Sequence, residues 1–395
     1  MKTHDGERGL VYRALRVVPP VRALVRAGRE WLARHRRPVW RLVGCERAGG
    51  LPVEICFAGK LENKNYIADL AFGETRSEVF LGHKWVRSLT RPVMSCEAGE
   101  AALLIVEVDE CQRRRSRGQF TFYAPCWVGG EIDLVAIMER LEHSRNAKED
   151  LRRFRRSQLS YEVTTDREMF LRFHDEMYRP YIKNVYGDRA FLVSMGEFLS
   201  TIERGELLLV KQQEEFIAGQ ILLYEDGRAR AWSVGIKDGD RAYVRAGAIK
   251  ALDHFVALHV SRRGYRTLHQ GGSRPFLWDG VLHHKRRRGL RLTDHTARWF
   301  AMNVPASATG AWAFLVNNPF IHEQEGKYRG EVFCEDGASP SEEQLRTLYS
   351  ELYMNGMAGL DVYLAKPAAT TAPIPPELRG KLRIDHVFGS PEHKA

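Results

Sequence analysis

The chain has 395 residues, enough for about two or three domains that each bury a core. Its hydrophobic fraction of 44% and its charged fraction of 28% are typical of a soluble globular protein. No apolar run approaches the roughly 20 residues that span a bilayer, and the N-terminus lacks the pattern of a secretory signal. Six cysteines lie far apart without a C-x-x-C pair, which argues against a zinc site and a disulfide scaffold: Cys45, Cys56, Cys96, Cys111, Cys126 and Cys334. We therefore expect a reduced, cytoplasmic protein.

The positive charge is concentrated at the N-terminus. The formal net charge is +10, and residues 1–47 hold one lysine and eleven arginines against four acidic residues. The rest of the chain is nearly neutral, which disfavours a globally basic nucleic-acid surface. From Val21 to Leu32 the apolar residues follow helical spacing, and three arginines share another face. This basic helix either packs on the body of the protein or, within residues 8–42, lies on the anionic inner face of the membrane.

The first third of the chain has the pattern of strands followed by a helix. Between residues 51 and 135 strands are predicted at Val53–Phe57, Leu103–Val108 and Phe120–Tyr123. A long polar helix rich in arginine is predicted from Leu134 to Gln158.

The second half predicts a mixed sheet with helices on its faces. Two capping boxes, Thr165–Glu168 and Ser194–Glu197, each open a helix, and Gly205 closes the second one. A meander of three strands follows, over Glu206–Gln212, Phe216–Tyr224 and Arg228–Ile236. After the loop Lys237–Arg245 come a long helix that ends at Gly264 and a further strand, Tyr265–Gln270. A last box at Ser339–Glu342 opens a helix over residues 341–354. A meander followed by a crossover helix implies a mixed sheet.

One candidate phosphate site is the junction of the loop and the long helix, Asp240–Ala248. Gly247 and Ala248 would let a pyrophosphate approach the backbone N–H groups at the start of a helix. Arg241 and Arg245 could pair with the phosphates. The alternative is that these small residues serve only packing.

The second candidate is the glycine-rich stretch after the last strand of the mixed sheet. Its backbone glycines would lie at the carboxyl edge of the sheet, where ligands of open α/β sheets bind. An acid, two histidines and four consecutive cations follow within a few turns of chain. The residues that we single out are Gly271, Gly272, Trp278, Asp279, His283 and Lys285. The alternative is a solvated basic turn in which Asp279 pairs with a nearby arginine.

The third candidate is a cationic stripe on the helix that starts near Ser144. Cations recur there at steps of three and four residues, which places them on one face. Arg152 and Arg156 could meet the phosphates of a nucleotide-linked substrate, a tRNA or a lipid head group. A solvated helix face explains the same pattern.

With these stretches in view, residues 145–290 resemble the GNAT-like half of Fem-type proteins. These are peptidoglycan-bridge aminoacyltransferases, and their relatives belong to the GNAT acyltransferase superfamily. Three pieces carry the resemblance: the helix Ser144–Gln158, similar to the family's s-x-K-x-x-x-R-x-x-R-K pattern; the hairpins and long helix of Gly205–Gly264; and the stretch that ends at Lys285–Gly289, similar to the family's G…FK…fG.

The resemblance implies an α+β fold of mixed, mainly antiparallel sheets flanked by helices, with two GNAT-like halves in tandem. The expected domains are a basic N-terminal segment, a degenerate first GNAT-like domain, a second GNAT-like acyltransferase domain and a C-terminal extension with the helix 341–354. Their expected bounds are residues 1–47, 48–143, 144–305 and 306–395.

The resemblance also implies the reaction. An amine would attack a bound thioester or ester directly, without a covalent enzyme intermediate. Asp279 would be the base or would orient the amine, and Lys285 and Arg245 would bind phosphate or carboxylate. The backbone of Gly271 and Gly272 would bind the oxyanion or the donor carbonyl. The acceptor would be an amine on a small molecule or a cell-envelope precursor.

The donor stays open at this point. Val244 stands three residues before Gly247, so the Arg/Gln-x-x-Gly-x-Gly/Ala signature of acetyl-CoA binding is not met. The co-substrate is therefore either an acyl-CoA, such as acetyl-CoA, or an aminoacyl-tRNA, and no metal and no stable protein partner are expected.

A different class of function stays open as well. The chain could be a catalytically silent GNAT-fold protein that docks an anionic membrane or polymer through its basic tail. An RNA-binding module is disfavoured because the RNP aromatic signature is absent and the excess charge lies in the tail.

Overall fold

The computed structural model describes residues 35–86, 103–187, 192–304, 309–334, 340–364 and 373–386. The predicted helix Val21–Leu32 lies outside these residues. The strands in chain order are β1 (Arg36–Glu46), β2 (Pro52–Ala58), β3 (Phe72–Trp85), β4 (Leu103–Asp109), β5 (Phe122–Pro125), β6 (Val128–Asp133), β7 (Leu159–Thr164), β8 (Gly205–Gln212), β9 (Glu215–Glu225), β10 (Arg228–Ile236), β11 (Thr267–His269), β12 (Arg291–His295), β13 (Arg298–Asn303), β14 (Phe320–Gln324), β15 (Lys327–Cys334), β16 (Met357–Leu364) and β17 (Leu382–His386).

The helices lie between these strands. They are α1 (Leu61–Ala71), α2 (Glu110–Arg115), α3 (Leu134–His143), α4 (Arg145–Arg156), α5 (Arg167–Phe173), α6 (Arg179–Tyr186), α7 (Met195–Leu199), α8 (Arg241–Ala246), α9 (Ala248–Arg262), α10 (Gly280–Arg287), α11 (Thr309–Asn317) and α12 (Glu342–Leu352). A π turn over His174–Tyr178 continues α5 into α6.

The chain forms two compact units. The first runs to Tyr123 and takes the chain up again from Trp299 to Phe314, and the second holds Ala124–Arg298 and continues from Leu315. The strand order of the first sheet is β3-β1-β2-β4-β13-β5. The first unit has a core of its own in this sheet, which includes Val39, Cys56 and Val106.

The second unit contains two sheets. The order of the larger one is β12-β6-β11-β10-β9-β8-β7, and the smaller one is β14-β15-β16-β17. Neighbours in the larger sheet are antiparallel except β10 and β11, whereas β15, β16 and β17 run parallel. The predicted class of mixed sheets flanked by helices is therefore confirmed.

The units differ from the predicted domains in three places. Strand β13 was expected in the domain 144–305, but it pairs in the sheet of the first unit. A bound was expected after residue 143, but the second unit begins at Ala124 because β6 pairs with β11 and β12 of the larger sheet. Residues 306–395 were expected to form an extension, yet α12 and sheet β14–β17 share one core with the larger sheet. That core includes Leu252 of α9, Leu345 of α12 and Leu360 of β16.

The strands β8, β9 and β10 follow the prediction within one residue, but the helix predicted over Leu134–Gln158 is wrong as a single element. Ser144 is extended, with φ −73° and ψ 130°, and it separates α3 from α4. The extended residue turns the chain, so α3 and α4 pack on each other.

Two predicted helix termini also need correction. The N-cap of α5 is Asp166, whose carboxylate accepts from the N–H of Glu168, so the box does not start at Thr165. Ser194 caps α7 as predicted, but α7 ends at Leu199, and Gly205 begins β8 instead of closing a helix. At the C-terminal helix the capping box belongs to Ser341 and Gln344.

The segment predicted as the loop Lys237–Arg245 contains α8. Its N-cap is Asp240, and Gly247 follows it in the left-handed conformation with φ +101°. The long helix α9 therefore begins directly after another helix, and not after a strand and a loop.

Candidate functional site

Strands β10 and β11 separate after a very short pairing. They pair in parallel only at Ala229 with Leu268 and at Arg230 with His269. β10 continues to Ile236 through an irregularity between Ala231 and Ser233, while Ser273 turns away and exchanges backbone hydrogen bonds with Val128 of β6. Past Arg230, the edge of β10 on this side has no strand partner within the described part of the chain. This gap lies at the carboxyl ends of two parallel strands.

The predicted Gly271–Gly272 turn borders the gap, and Lys285 holds it. Gly271 has φ +65°, and a Cβ added there would lie 3.4 Å from the carbonyl oxygen of Ala231 in β10. The Nζ atom of Lys285 donates to the carbonyl oxygens of Gly271 and Gly272, at 3.2 and 3.0 Å. Burial lowers the pKa of Lys285 to about 8, with Arg288 and Arg230 acting in the same direction and Asp279 against it.

Asp279 lies at the start of the helix that carries Lys285. Its Oδ1 accepts from the N–H groups of Val281 and Leu282, at 3.0 and 3.2 Å, so Asp279 is the N-cap of α10. The sequence signal for a base, an acid beside a glycine, was thus also the signal of a helix N-terminus. The carboxylate remains close enough to raise the pKa of Lys285.

Trp278 and His283 flank Asp279. The indole of Trp278 is 45% exposed, and its centre lies 6.2 Å from the imidazole of His283. Burial lowers the pKa of His283, and the neighbouring Arg286 and Arg287 lower it further. The exposed indole beside the imidazole forms a small aromatic surface at the first turn of α10.

A pair that the sequence interpretation did not select lies next to the turn. His269 accepts the N–H of Gly271 at its Nδ1, and its Nε2 lies 3.1 Å from the carboxylate of Asp294 in β12. Hydrogen bonding to His269 lowers the pKa of Asp294 against the effect of burial, and the charge of Arg230 lowers it too. His269 stood in the glycine-rich stretch, but nothing in the sequence pointed to a partner on another strand.

The N–H of Gly271 is therefore already used, which corrects one part of the prediction for the oxyanion. The backbone N–H of Gly272 has no partner among the residues that the structure describes. Of the two predicted glycines, only Gly272 has an amide available for a ligand.

Helix α9 makes ion pairs with residues next to two of the candidate stretches. Arg288 bonds both Asp253 of α9, at 2.7 Å, and Gln270, the residue before the glycine turn, at 3.1 Å. One turn earlier in α9, Lys250 pairs with Asp150 of α4 at 3.4 Å. The first turns of α9 thus contact both the cationic helix α4 and Arg288, which also bonds Gln270 before the glycine turn.

The helix start itself differs from the prediction. Gly247 and Ala248 are both buried, and the N–H of Gly247 donates to the carbonyl of Val244 in α8 at 3.1 Å. Because α8 precedes them, their backbone is not an open anion site. Arg241 and Arg245, the other two predicted residues, are exposed on α8.

The predicted cationic stripe is exposed and partly neutralised. Arg152 and Arg156 both pair with Glu149, at 3.4 and 3.1 Å, and their side chains are 71% and 76% exposed. Arg153 of the same helix donates to the carbonyl of Arg245 at 3.5 Å, which joins α4 to α8. The C-terminal end of α8 is therefore in contact with α4.

A cavity of about 590 Å³ lies elsewhere in the second unit. It is lined by α5, the β8–β9 hairpin and Lys237, and it contains none of the predicted site residues. Among the described residues no group of three or more His, Cys, Asp or Glu side chains could hold a metal ion. None of the described helices has both the length and the apolar character that a membrane span requires.

The known proteins that match the chain are solved structures. No family model and no curated protein matches the chain. Similar solved structures include L-PGS from Bacillus licheniformis, at 12% identity over 57% of this chain and 74% of that one, with a TM-score of 0.32. FemX is 12% identical over 67% of this chain and 88% of its own, with a TM-score of 0.33. A GCN5-related N-acetyltransferase from Sphaerobacter thermophilus is 15% identical over 53% and 62%, with a TM-score of 0.27.

Proposed function

We propose that the chain is an acyltransferase that moves an acyl or aminoacyl group from an activated donor to an amine acceptor. The observation that carries the proposal is the gap between β10 and β11 beside the glycine turn. Ligands of open α/β sheets bind at the carboxyl ends of the strands. An extended donor arm that carries amide groups can pair with the free edge of β10 as an added strand would.

The donor in this proposal is an acyl-CoA, such as acetyl-CoA, or an aminoacyl-tRNA. Both carry phosphates, and exposed arginines stand on two helices that touch through Arg153 and the backbone of Arg245: Arg241 and Arg245 on α8, and Arg152 and Arg156 on α4. Guanidinium groups bind phosphate in a bidentate manner. Because exposed ion pairs contribute little free energy, Arg152 and Arg156 can leave Glu149 and bind a phosphate at small cost. The proposal therefore places the phosphates on this surface and not on the buried backbone of Gly247.

The chemistry is attack of the acceptor nitrogen on the donor carbonyl. The new C–N bond forms, the thiolate or the ribose oxygen leaves, and one proton is lost from the amine. Lys285 can accept that proton, because a pKa near 8 leaves part of its amine neutral at physiological pH. The N–H of Gly272 would donate to the developing oxyanion.

The acceptor would approach from the first turn of α10. Asp279, whose charge acts on Lys285, would orient the acceptor ammonium, and the exposed Trp278 beside His283 would pack on its apolar part. We place the reaction in the cytoplasm, in the biosynthesis of cell-envelope, polysaccharide or metabolite amines. The segment 8–42 would contribute the predicted contact with the inner face of the membrane.

The test is a transfer assay with labelled acetyl-CoA and labelled aminoacyl-tRNAs against a panel of amines and envelope precursors. The variants are Asp279→Asn and Lys285→Met. Asparagine is as good an N-cap as aspartate, so Asp279→Asn removes the charge and keeps the cap of α10. We expect kcat to fall about 10²-fold or more for Lys285→Met, and less for Asp279→Asn, since only Lys285 takes the proton.

The control is Arg228→Ala, an exposed arginine at the opposite end of β10. It should leave the transfer rate unchanged. If no donor labels any amine, or if both site variants keep the wild-type rate, the proposal is wrong.

A further inference from the structure

The glycine turn is held by a chain of hydrogen bonds that crosses three strands. Gly271 donates its N–H to Nδ1 of His269, so this nitrogen is the unprotonated one. The proton of the neutral ring is then on Nε2, which donates to Asp294 at 3.1 Å. Asp294 lies on β12 and His269 on β11, and β6 runs between them.

The intervening strand is shaped to permit this contact. A Cβ at Gly129 of β6 would lie 2.0 Å from Oδ1 of Asp294 and 3.0 Å from Nε2 of His269. Any side chain at position 129 would therefore push the carboxylate away from the ring. The pKa of Asp294 is lowered, which keeps the carboxylate charged and able to accept the hydrogen bond.

The other groups of the turn are held from α10. Lys285 binds the carbonyl oxygens of Gly271 and Gly272, whereas the network of β12 and β11 binds the N–H of Gly271. Between them these contacts fix the orientation of three successive peptide groups, from Gln270 to Ser273, and the N–H of Gly272 stays available.

We propose that Asp294 and His269 are positioning residues that hold the Gly271–Gly272 turn in the conformation that receives the acyl donor, and that Gly129 makes this possible. Asp294 fixes the tautomer of His269, and the tautomer fixes the direction of the Gly271 amide. What the turn binds rests on the proposed function, but the network can be measured without any activity.

The first measurement is NMR of the full chain. The ring ¹⁵N shifts of His269 should report the Nε2–H tautomer, and the Gly271 amide should exchange slowly with solvent. Asp294→Ala removes the acceptor of the ring proton, so the Nδ1–H form becomes populated and exchange at Gly271 speeds up about three- to tenfold. Asp294→Asn still offers an oxygen to Nε2–H and should stay within about twofold of wild type.

The second measurement leaves both residues in place. Gly129→Ala should reproduce the shifts and the exchange rate of Asp294→Ala, and the double variant should add nothing further. Gly196→Ala is the matched control, because an added Cβ there meets nothing within 4 Å. An Nδ1–H tautomer in the wild type, or additive effects of the two substitutions, overturns the network.

The link to the donor is tested with acetyl-CoA as the probe. Its dissociation constant should rise about three- to tenfold in Asp294→Ala and in Gly129→Ala, and Asp294→Asn should restore it. If exchange at Gly271 changes while acetyl-CoA binding does not, the positioning role in donor binding is overturned. If the wild type binds no acetyl-CoA and transfers no acyl group, the proposed function fails, and the tautomer and exchange data still decide the network.

Discussion

The surroundings of Lys285 disfavour its protonated form, so the free energy of unfolding depends on pH. Its pKa is about 8 in the folded protein, against an ordinary value of 10.5. Between these two values the unfolded chain holds the proton and the folded chain does not. The free energy of unfolding therefore rises with pH through this window, and the penalty of the buried charge is fully present below pH 8.

We expect the stability difference between wild type and Lys285→Met to shift by about 2–3 kcal/mol in favour of the wild type from pH 7 to pH 10. Urea unfolding at pH 7, 8.5 and 10 measures this shift. Lys148→Met, at an exposed lysine of α4, gives the baseline for the loss of a surface charge. A difference that stays constant or moves the other way contradicts a lowered pKa.

Local patterns allowed some of the elements around the site to be predicted, whereas α8, α10, β6, β12 and the contacts of the site were not predicted. Alternating apolar residues and short turns placed β8, β9 and β10, and the period of α9 was equally clear. Asp294, His269 and Gly129 are separated by up to 165 positions, and only the pairing of β6 with β11 and β12 brings them together. The cap at Asp279 was not predicted, because a cap and a base use the same carboxylate.

At the scale of elements, the junction of α8 and α9 depends on the backbone of Gly247. Its φ of +101° lies in the left-handed region, where a side chain is strained, although an added Cβ meets no atom within 4 Å. The cost of a side chain there is therefore conformational and not steric.

We expect Gly247→Ala to lower the free energy of unfolding by about 1 kcal/mol, as measured by urea titration. Gly280→Ala is the matched control: it lies at the first position of α10, has no positive φ and an added Cβ meets nothing within 4 Å. It should stay within a few tenths of a kcal/mol, or stabilise slightly. Equal losses in both variants would mean that Gly247 has no special role.

At the scale of the whole chain, sheet β14–β17 belongs to the same compact unit as the larger sheet. Backbone hydrogen bonds of 2.8 Å join the two at Leu277 with Pro319, Ile321 with Pro275, and Leu292 with Asn355. A Cβ at Gly330 of β15 would lie 2.5 Å from the side chain of Leu360 and 3.3 Å from that of Leu277. The absence of a side chain at Gly330 therefore lets Leu277, which precedes α10, pack closely on β15. The segments that carry the glycine turn and α10 are therefore supported by residues from the C-terminal end of the chain.

This shared core predicts shared unfolding. Leu360 is fully buried in β16, and Leu360→Ala should cost about 2–5 kcal/mol through the cavity it leaves. Hydrogen exchange should then accelerate at amides of β9 and β10 as much as at amides of β15 and β16, because one cooperative unit loses stability. Met195→Ala, at a side chain 41% exposed on α7, should cost less than about 0.5 kcal/mol. If only β15 and β16 exchange faster in Leu360→Ala, the C-terminal sheet unfolds by itself, and the glycine turn does not depend on it.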